Sequence, residues 1–212
     1  MADLWTERAE LYRQSAAHRD GPDLDLLVDW AAGARTALDV ATGGGHVAGR
    51  LREAGLEVVS CDPAPGMQPD VLCTAEDLPF ADDSFDVVTC RVAPHHFVDV
   101  QTAVSEMARV SRSRVLVVDN LYHDESVESA ERLRDPTHVR TYSEPEWRRL
   151  LEGAGLRIGA VELMSKAIEF EPWLERAGCG GEEATRVREL LGDRIQDGWV
   201  SLPRIALKGV KR

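Results

Sequence analysis

Three consecutive glycines stand in the one stretch of this sequence that is built to hold a ligand. Residues 37–51 read A-L-D-V-A-T-G-G-G-H-V-A-G-R-L, a short apolar strand, then Gly43 to Gly45, then a helix. Glycines permit a tight turn and close backbone approach, and the N–H groups at the start of a helix point at a bound group. The stretch therefore predicts the nucleotide pocket of an α/β sheet.

Two acids near this turn bear on which nucleotide binds. Asp39 lies inside the strand before the glycines, where a buried carboxylate needs a reason. Asp62 ends the next predicted strand, nineteen residues after Gly43, which is the spacing of a ribose-binding acid. Asp39 would bring negative charge towards the pocket, and the acid-rich stretch 76–86 adds more. This charge favours S-adenosylmethionine, a sulfonium and ammonium cation, over a ligand that carries a pyrophosphate.

Alternating strands and helices must position these residues, and the sequence predicts that alternation. Strands are predicted at 36–41, 56–62, 70–74, 85–90, 114–118, 156–163 and 204–211. Helices are predicted at 3–19, 23–32, 46–54, 100–110 and 126–134, from a capping box at Ser143, and as two short helices within 171–192. The alternation implies a mostly parallel sheet with its ligand beyond the carboxyl ends of the strands. The pocket is therefore expected at the loops 41–45, 62–67, 90–97 and 119–122.

Composition limits the classes of partner. The chain has 212 residues, 43% of them apolar, as expected for one soluble globular domain. Its net charge of −12 disfavours non-specific binding to nucleic acids or anionic membranes, which are polyanions. No apolar run approaches the roughly 20 residues of a membrane span, and no signal peptide is visible. Four cysteines have no zinc spacing. We expect a cytoplasmic protein without nucleic-acid partner, membrane span or metal.

Several motifs resemble one enzyme family. L-D-V-A-T-G-G-G resembles the first motif of class I S-adenosylmethionine-dependent methyltransferases, and A-E-D-L-P-F-A-D-D-S-F-D-V-V resembles a signature of their ubiquinone and menaquinone methyltransferase branch. R-V-A-P-H-H-F, R-D-P-T-H-V-R and A-L-K-G-V-K-R are similar to a small bacterial subfamily of that branch. The resemblance covers nearly the whole chain. It implies a Rossmann-like α/β fold: a mostly parallel seven-stranded sheet with helices on both faces and an antiparallel last strand.

The resemblance also implies which residues hold S-adenosylmethionine. Asp39, Gly43 and Gly45 would cradle its methionine end, and Asp62 would accept both ribose hydroxyls. Ala41 stands where the family has its first glycine, and a methyl group is tolerable at this position if φ stays negative. The other implied positions flank the adenine or border the methionine: Pro63, Met67, Thr74, Ala75, Glu76, Cys90 and Arg91.

Methyl transfer is an in-line displacement for which the protein mainly supplies alignment and exclusion of water. A base is needed only if the nucleophile must lose a proton. His95 and His96, in the loop after strand four, are the candidates because imidazole titrates near neutrality; the alternative is that one of them only packs or hydrogen-bonds the loop. Tyr12 and His18 of the first helix are expected to close over the cofactor, with a packed helix that makes no direct contact as the alternative. Other residues are candidates for binding the acceptor or, alternatively, for holding the structure together. The candidate acceptor contacts are Tyr12, His138, Arg140, Tyr142, Trp173 and Trp199.

The expected organisation is one domain, 1–212. It comprises cap helices at 1–33, a cofactor-binding core at 34–163, a helical insertion at 164–203 that shapes the acceptor pocket, and a last strand at 204–212. The expected activity is methylation of a small molecule. An NAD(P)-dependent oxidoreductase with the same turn would need a pair such as Tyr-x-x-x-Lys, and none of the three tyrosines has a lysine four residues on. A non-catalytic S-adenosylmethionine-binding protein and a homodimer remain open alternatives.

Overall fold

The fold is an open, twisted sheet covered on both faces. The computed structural model describes residues 2–211, so Met1 and Arg212, the ends of the predicted domain, lie outside the described residues. The strands are β1 Thr36–Val40, β2 Glu57–Asp62, β3 Val71–Leu72, β4 Phe85–Arg91, β5 Ser111–Asn120, β6 Leu156–Glu169, β7 Ile195–Gln196 and β8 Trp199–Lys211. Their order is β3-β2-β1-β4-β5-β8-β6, and the two-residue β7 pairs with β8. The first five strands are parallel, and β8 runs antiparallel to both neighbours in that order. The predicted Rossmann-like sheet with an antiparallel last strand is confirmed.

Helices pack on both faces of this sheet. They are α1 Ala2–Gln14, α2 Ala16–Arg19, α3 Pro22–Ala31, α4 His46–Glu53, α5 Val100–Val110, α6 Glu125–Arg134, α7 Glu144–Gly153, α8 Phe170–Ala177 and α9 Gly181–Leu191. Helices α5 and α7 contribute to one apolar core and α3 and α4 to another, while α6, α8 and α9 form a third. None of these helices, within residues 2–211, combines the length and apolarity that crossing a membrane requires.

Strand β5 lies in the interior of the sheet. It pairs with β4 on one side and β8 on the other. Side chains alternate across a strand, so Val115 and Val117 enter the core with α5 and α7, whereas Leu116 and Val118 enter the core with α3 and α4. All four are fully buried, which explains why the run has no polar residue.

The segment 164–203 is helical only in part, which corrects the expectation of a helical insertion. Strand β6 continues to Glu169 and β8 already begins at Trp199, and these two residues form the last pair of a long antiparallel ladder. Helices α8 and α9 lie between the two strands. The partner that stabilises each strand end is about thirty residues away in sequence, so local pattern does not reveal it.

The predicted first helix is also interrupted. Ser15 adopts an extended conformation between α1 and α2, and its side-chain oxygen lies 2.9 Å from Nδ1 of His18. Two strand bounds differ as well, since β3 has only two residues and β5 begins at Ser111 rather than at 114.

Candidate active site

A cavity opens at the carboxyl ends of β1, β2 and β4, where the strand-end rule predicts a ligand. Its volume is about 330 Å³, within the usual range for ligand pockets of about 300–1,000 Å³. The glycine turn, the loops after β2, β3 and β4, and the N-terminal helices each form part of its wall. The lining residues are Trp5, Tyr12, His18, Ala41, Thr42, Gly43, Gly44, His46, Val47, Asp62, Pro63, Met67, Thr74, Ala75, Glu76, Arg91, Val92, Ala93, His96, Phe97 and Val98.

Asp39 holds the glycine turn from inside the sheet. Its side chain is buried, and Oδ2 accepts hydrogen bonds from Thr42 Oγ1 at 2.6 Å and from the Ala48 N–H at 3.2 Å. Oδ1 accepts from Thr89 Oγ1 at 2.9 Å. Burial raises the pKa of Asp39 to about 6. Asp39 therefore lies behind the turn rather than on the cavity wall, and it occupies one of the N–H groups at the start of α4.

Ala41 lines the cavity with a φ of +53°, so the condition of a negative φ, under which its methyl group would be tolerated without strain, is not met. The turn is held in this geometry because the Thr42 N–H donates to the Cys61 carbonyl at 3.0 Å and the Thr42 hydroxyl donates to Asp39. Gly43 adopts the same left-handed region without a β carbon. An L-residue in this region costs about 1–2 kcal/mol. Ala41 thus keeps the backbone path of a glycine under strain.

Asp62 joins the ends of β1 and β2 at the cavity wall. Its Oδ2 accepts from the Gly43 N–H at 3.0 Å and its Oδ1 accepts from the Ala64 N–H at 2.9 Å. Burial raises its pKa, and the two backbone hydrogen bonds oppose that effect. A carboxylate fixed in this way can accept further hydrogen bonds from the hydroxyls of a ligand.

Most of the predicted cofactor positions converge on the cavity. The residues that line it are Ala41, Gly43, Asp62, Pro63, Met67, Thr74, Ala75, Glu76 and Arg91. Asp39, Gly45 and Cys90 do not line it: Gly45 caps α4 with a φ of +77°, and Cys90 is fully buried in β4. Four wall residues lie outside the predicted loops and candidate positions: Trp5, His46, Val47 and Val98. His46 follows the third glycine directly, and that position was the available signal.

The N-terminal helices close the outer side of the cavity and are tied to the sheet. Arg91 pairs with Asp23 at 2.8 Å and donates to the His18 carbonyl at 2.7 Å. Nε2 of His46 lies 3.1 Å from the Tyr12 carbonyl. The rings of Tyr12 and His18 pack at an interplanar angle of 53° with centroids 5.3 Å apart. Tyr12 and His18 both lie on the cavity wall, where the first helix was expected to close over the cofactor.

The two candidate bases have different surroundings. His96 lines the cavity, with Trp5 packed edge-on at 4.7 Å between ring centroids. His95 is buried, and its Nδ1 lies 2.5 Å from Asp119 Oδ1. Burial disfavours both charged forms, lowering the pKa of His95 to about 3 and raising that of Asp119 to about 7. A neutral imidazole donating from Nδ1 satisfies this contact, so His95 pairs within the protein rather than facing the cavity.

Four predicted acceptor contacts lie outside the cavity. The imidazole of His138 is 3.1 Å from Glu128, and Arg140 pairs with Glu146 at 2.6 Å. Tyr142 packs against Trp147 in the main core. Trp173 is 3% exposed and belongs to the third core. Each of these side chains contacts another part of the protein and does not line the cavity.

The segment 164–203 contributes no residue to the cavity wall within the described part of the chain. Its helices α8 and α9 bury their apolar faces against α6 and β8 instead. Trp199 is 45% exposed and lies on a separate surface groove. The predicted role of this segment in shaping the acceptor pocket is therefore not visible in the geometry.

Comparison with known proteins matches residues 38–118 to a family model described as a methyltransferase domain. The chain is 33% identical over 211 residues to the uncharacterized methyltransferase YcgJ of Bacillus subtilis, covering 88% of this chain and 82% of YcgJ. The crystal structure of YcgJ superposes with a TM-score of 0.81 at 29% identity, over 90% of this chain and 98% of that one.

Two further relatives carry more specific names. A demethylmenaquinone methyltransferase of Beutenbergia cavernae is 40% identical over 95 residues, which is 39% of this chain and 40% of that protein. The structure of geranyl diphosphate C-methyltransferase from Streptomyces coelicolor, solved with S-adenosyl-L-homocysteine, has a TM-score of 0.66 at 14% identity, over 89% of this chain and 76% of that one. The second likeness shows a shared fold.

Proposed function

The chain belongs to the S-adenosylmethionine-dependent methyltransferases, and from this premise we propose that it methylates a small-molecule acceptor within the cavity. The observation that carries the proposal is the position of Asp62. Its carboxylate lies on the cavity wall and is fixed by the N–H groups of Gly43 and Ala64, so its remaining acceptor capacity faces a ligand. This is where the two hydroxyls of a cofactor ribose would bind.

The charge of the wall fits a cationic cofactor. Asp62 and Glu76 both line the cavity, whereas the guanidinium of Arg91 is paired with Asp23. Asp39 occupies the Ala48 N–H, one of the groups that a pyrophosphate would otherwise use. The sulfonium and ammonium groups of S-adenosylmethionine meet complementary charge here, and a dinucleotide pyrophosphate would meet like charge.

Apolar wall residues suit the adenine. Met67, Ala75 and Phe97 are nearly buried yet border the cavity, which leaves an apolar surface for a ring. Glu76 accepts hydrogen bonds from the N–H groups of Val98 and Asp99 at 3.2 and 3.4 Å. These bonds join the loops that follow β3 and β4 around the proposed adenine site.

The bound cofactor would supply a methyl group already activated by its sulfonium. The chain then needs to align the acceptor and exclude water. Trp5 and Tyr12 close the outer side, and the Arg91–Asp23 ion pair ties these helices to the sheet. His96 is the proposed proton acceptor because it lies on the wall, while His95 is engaged with Asp119.

Calorimetric titration tests the cofactor assignment. Purified protein is titrated with S-adenosylmethionine, S-adenosylhomocysteine and NAD. We expect micromolar binding of the first two and much weaker binding of NAD. Tight NAD binding without a response to S-adenosylmethionine would overturn the proposal.

Activity is then tested with a methyl-labelled cofactor and a metabolite extract. We expect the label to appear in the small-molecule fraction. Label in protein or nucleic acid would refute the proposed acceptor class. Intact cofactor binding without any transferred label would instead support a non-catalytic binding protein.

A further inference from the structure

The contacts of His96 decide which of its ring nitrogens carries the hydrogen. Nδ1 lies 3.1 Å from the Thr137 carbonyl oxygen and 3.1 Å from Thr137 Oγ1. A carbonyl oxygen can only accept, so Nδ1 must be the donor. Burial holds the pKa of His96 well below its ordinary value, so the ring is neutral at pH 7. A neutral imidazole has a single N–H, and Nε2 therefore carries an unshared electron pair.

A second hydrogen bond fixes the direction of this contact. Thr137 Oγ1 donates its hydrogen to Asp135 Oδ1 at 2.7 Å, and the Thr137 N–H donates to the same oxygen at 3.0 Å. The hydroxyl has no other hydrogen, so it can offer only a lone pair to His96. Asp135 is itself buried, with Nη1 of Arg8 at 3.5 Å and Nη2 of Arg134 at 3.8 Å. These hydrogen bonds therefore run in one direction: His96 Nδ1 donates to Thr137 Oγ1, which donates to Asp135.

Nε2 of His96 is the end of this chain that faces the cavity. Within residues 2–211 Nε2 makes no hydrogen bond, and it is not fully buried. The rings of Trp5 and His95 both pack against that of His96, with centroids 4.7 and 4.1 Å away. The imidazole is therefore held in place with a basic nitrogen accessible from the cavity.

We infer that the acceptor presents a hydroxyl group to Nε2 of His96, and that Thr137 and Asp135 are positioning residues that keep this nitrogen unprotonated. The inference rests on the proposed methyl transfer. A neutral amine attacks with its own lone pair, whereas a hydroxyl becomes a good nucleophile only as it loses its proton. A wall nitrogen that can only accept hydrogen bonds fits the hydroxyl.

The step balances. The acceptor oxygen forms a bond to the methyl carbon while the carbon–sulfur bond breaks, with its electron pair left on sulfur. The hydroxyl proton goes to Nε2 of His96, and the resulting imidazolium donates from Nδ1 to Thr137, whose hydroxyl is bonded to the Asp135 carboxylate. After product release the imidazolium returns its proton to water.

The first test reads the tautomer without any acceptor. Long-range ¹H–¹⁵N correlation spectra are recorded on ¹⁵N-labelled protein saturated with S-adenosylhomocysteine, and His96→Gln assigns the signals. We expect a protonated Nδ1 and an unprotonated Nε2 in His96. A hydrogen on Nε2, or a doubly protonated ring at pH 7, would overturn the inference.

The second test reads where the methyl group goes. Protein, cofactor with a ¹³C-methyl group and a metabolite extract are incubated, and the carbon shift of the product distinguishes methyl on oxygen from methyl on nitrogen or carbon. Methyl on oxygen is the expected result. Methyl on nitrogen or carbon contradicts the hydroxyl assignment even where methyl transfer itself is upheld.

Variants separate positioning from folding. His96→Gln should lower the rate of transfer by about 100-fold or more. Thr137→Val should lower kcat about tenfold with little change in KM and should shift the acid limb of the pH profile, because the link to Asp135 is lost. Thr137→Ser should restore both. Thr185→Val, on the exposed face of α9, is the matched control.

Cofactor affinity distinguishes a failure of the positioning role of Thr137 from a failure of the proposed function. S-adenosylhomocysteine should bind the Thr137 variants within about threefold of wild type, since Thr137 does not line the cavity. A Thr137→Val variant with wild-type kcat and pH profile would refute the positioning role. If the wild-type protein does not bind S-adenosylhomocysteine, the proposed function is refuted instead.

Discussion

Two walls of the same cavity hold their ionisable groups in different ways. The glycine wall consists of the turn 41–45 and Asp62, with Asp39 buried behind the turn; the histidine wall consists of His96, with the buried residues His95 and Thr137 in contact with it. Three of the five hydrogen bonds to Asp39 and Asp62 come from groups close in sequence, namely the Thr42 hydroxyl and the Ala48 N–H to Asp39 and the Ala64 N–H to Asp62; those from the Thr89 hydroxyl and the Gly43 N–H come from farther away. Groups of the histidine wall pair with side chains 24 and 41 residues away.

This difference has a consequence for chemistry. The glycine wall carries negative charge on backbone-anchored carboxylates, which suits binding of a cation and of hydroxyls. The histidine wall is neutral, because burial keeps both imidazoles unprotonated. A neutral base with a fixed tautomer suits proton transfer. We therefore expect changes in the glycine wall to alter stability and cofactor binding, and changes in the histidine wall to alter turnover.

The largest effect is expected at Asp39. Asp39→Ala removes the acceptor of the Thr42 hydroxyl and of the Ala48 N–H, and it leaves the Thr89 hydroxyl with only the longer contact to the Leu38 carbonyl at 3.3 Å. Three lost hydrogen bonds at about 1 kcal/mol each predict a loss of about 3 kcal/mol in the free energy of unfolding. Urea denaturation measures it, with the exposed Asp77→Ala as control. A loss below about 1 kcal/mol in the free energy of unfolding would show that Asp39 does not hold the glycine turn.

Asp62 separates the walls by cofactor affinity. Asp62→Ala should weaken S-adenosylhomocysteine binding by about 1.5–3 kcal/mol, as expected when hydrogen bonds to a charged group are lost. His96→Gln should leave that affinity within about threefold. Calorimetry on both variants measures the contrast. If both variants lose the same amount of cofactor affinity, the two walls do not differ in their contribution to cofactor binding. If Asp62→Ala loses no affinity, the ribose assignment is refuted.

Asp39 also predicts a pH dependence of stability. Its pKa rises from 3.8 to about 6 on folding, so the native state binds more protons between these values and stability falls as pH rises. Between pH 4 and pH 7 the wild type should lose about 2 kcal/mol relative to Asp39→Asn, whose side chain does not ionise. Urea titrations at a series of pH values measure the difference. A constant difference would mean that Asp39 is ionised throughout the range.

The smallest effect concerns Ala41. Ala41→Gly relieves about 1–2 kcal/mol of left-handed strain, and the greater freedom of glycine in the unfolded chain offsets about 0.5–1 kcal/mol of this. A net stabilisation of about 0.5 kcal/mol is expected from denaturation midpoints. Gly43→Ala, at the next left-handed position, should have the opposite sign. If Ala41→Gly is destabilising, the strain in the turn lies elsewhere.

Sequence reasoning succeeded where the determining contacts are local. Helix α5 was predicted over 100–110 and is observed at Val100–Val110, and the capping box at Ser143 starts α7 as expected. It failed where pairing is distant: the end of β6 at Glu169 depends on Trp199. The positive φ of Ala41 was not predicted, because hydrogen bonds from Thr42, not the type of residue 41, set the turn.

The sequence alone determined the glycine wall and the family. The turn 41–45, Asp39 before it and Asp62 after it lie within one short stretch, and their spacing can be recognised without the structure. Only the tertiary structure decided the histidine wall. The adjacent residues His95 and His96 are alike in sequence, yet one is bonded to Asp119 and the other lies on the cavity with Thr137 behind it. Burial and distant partners set the protonation and direction of a side chain, and these arise only when separate elements pack together.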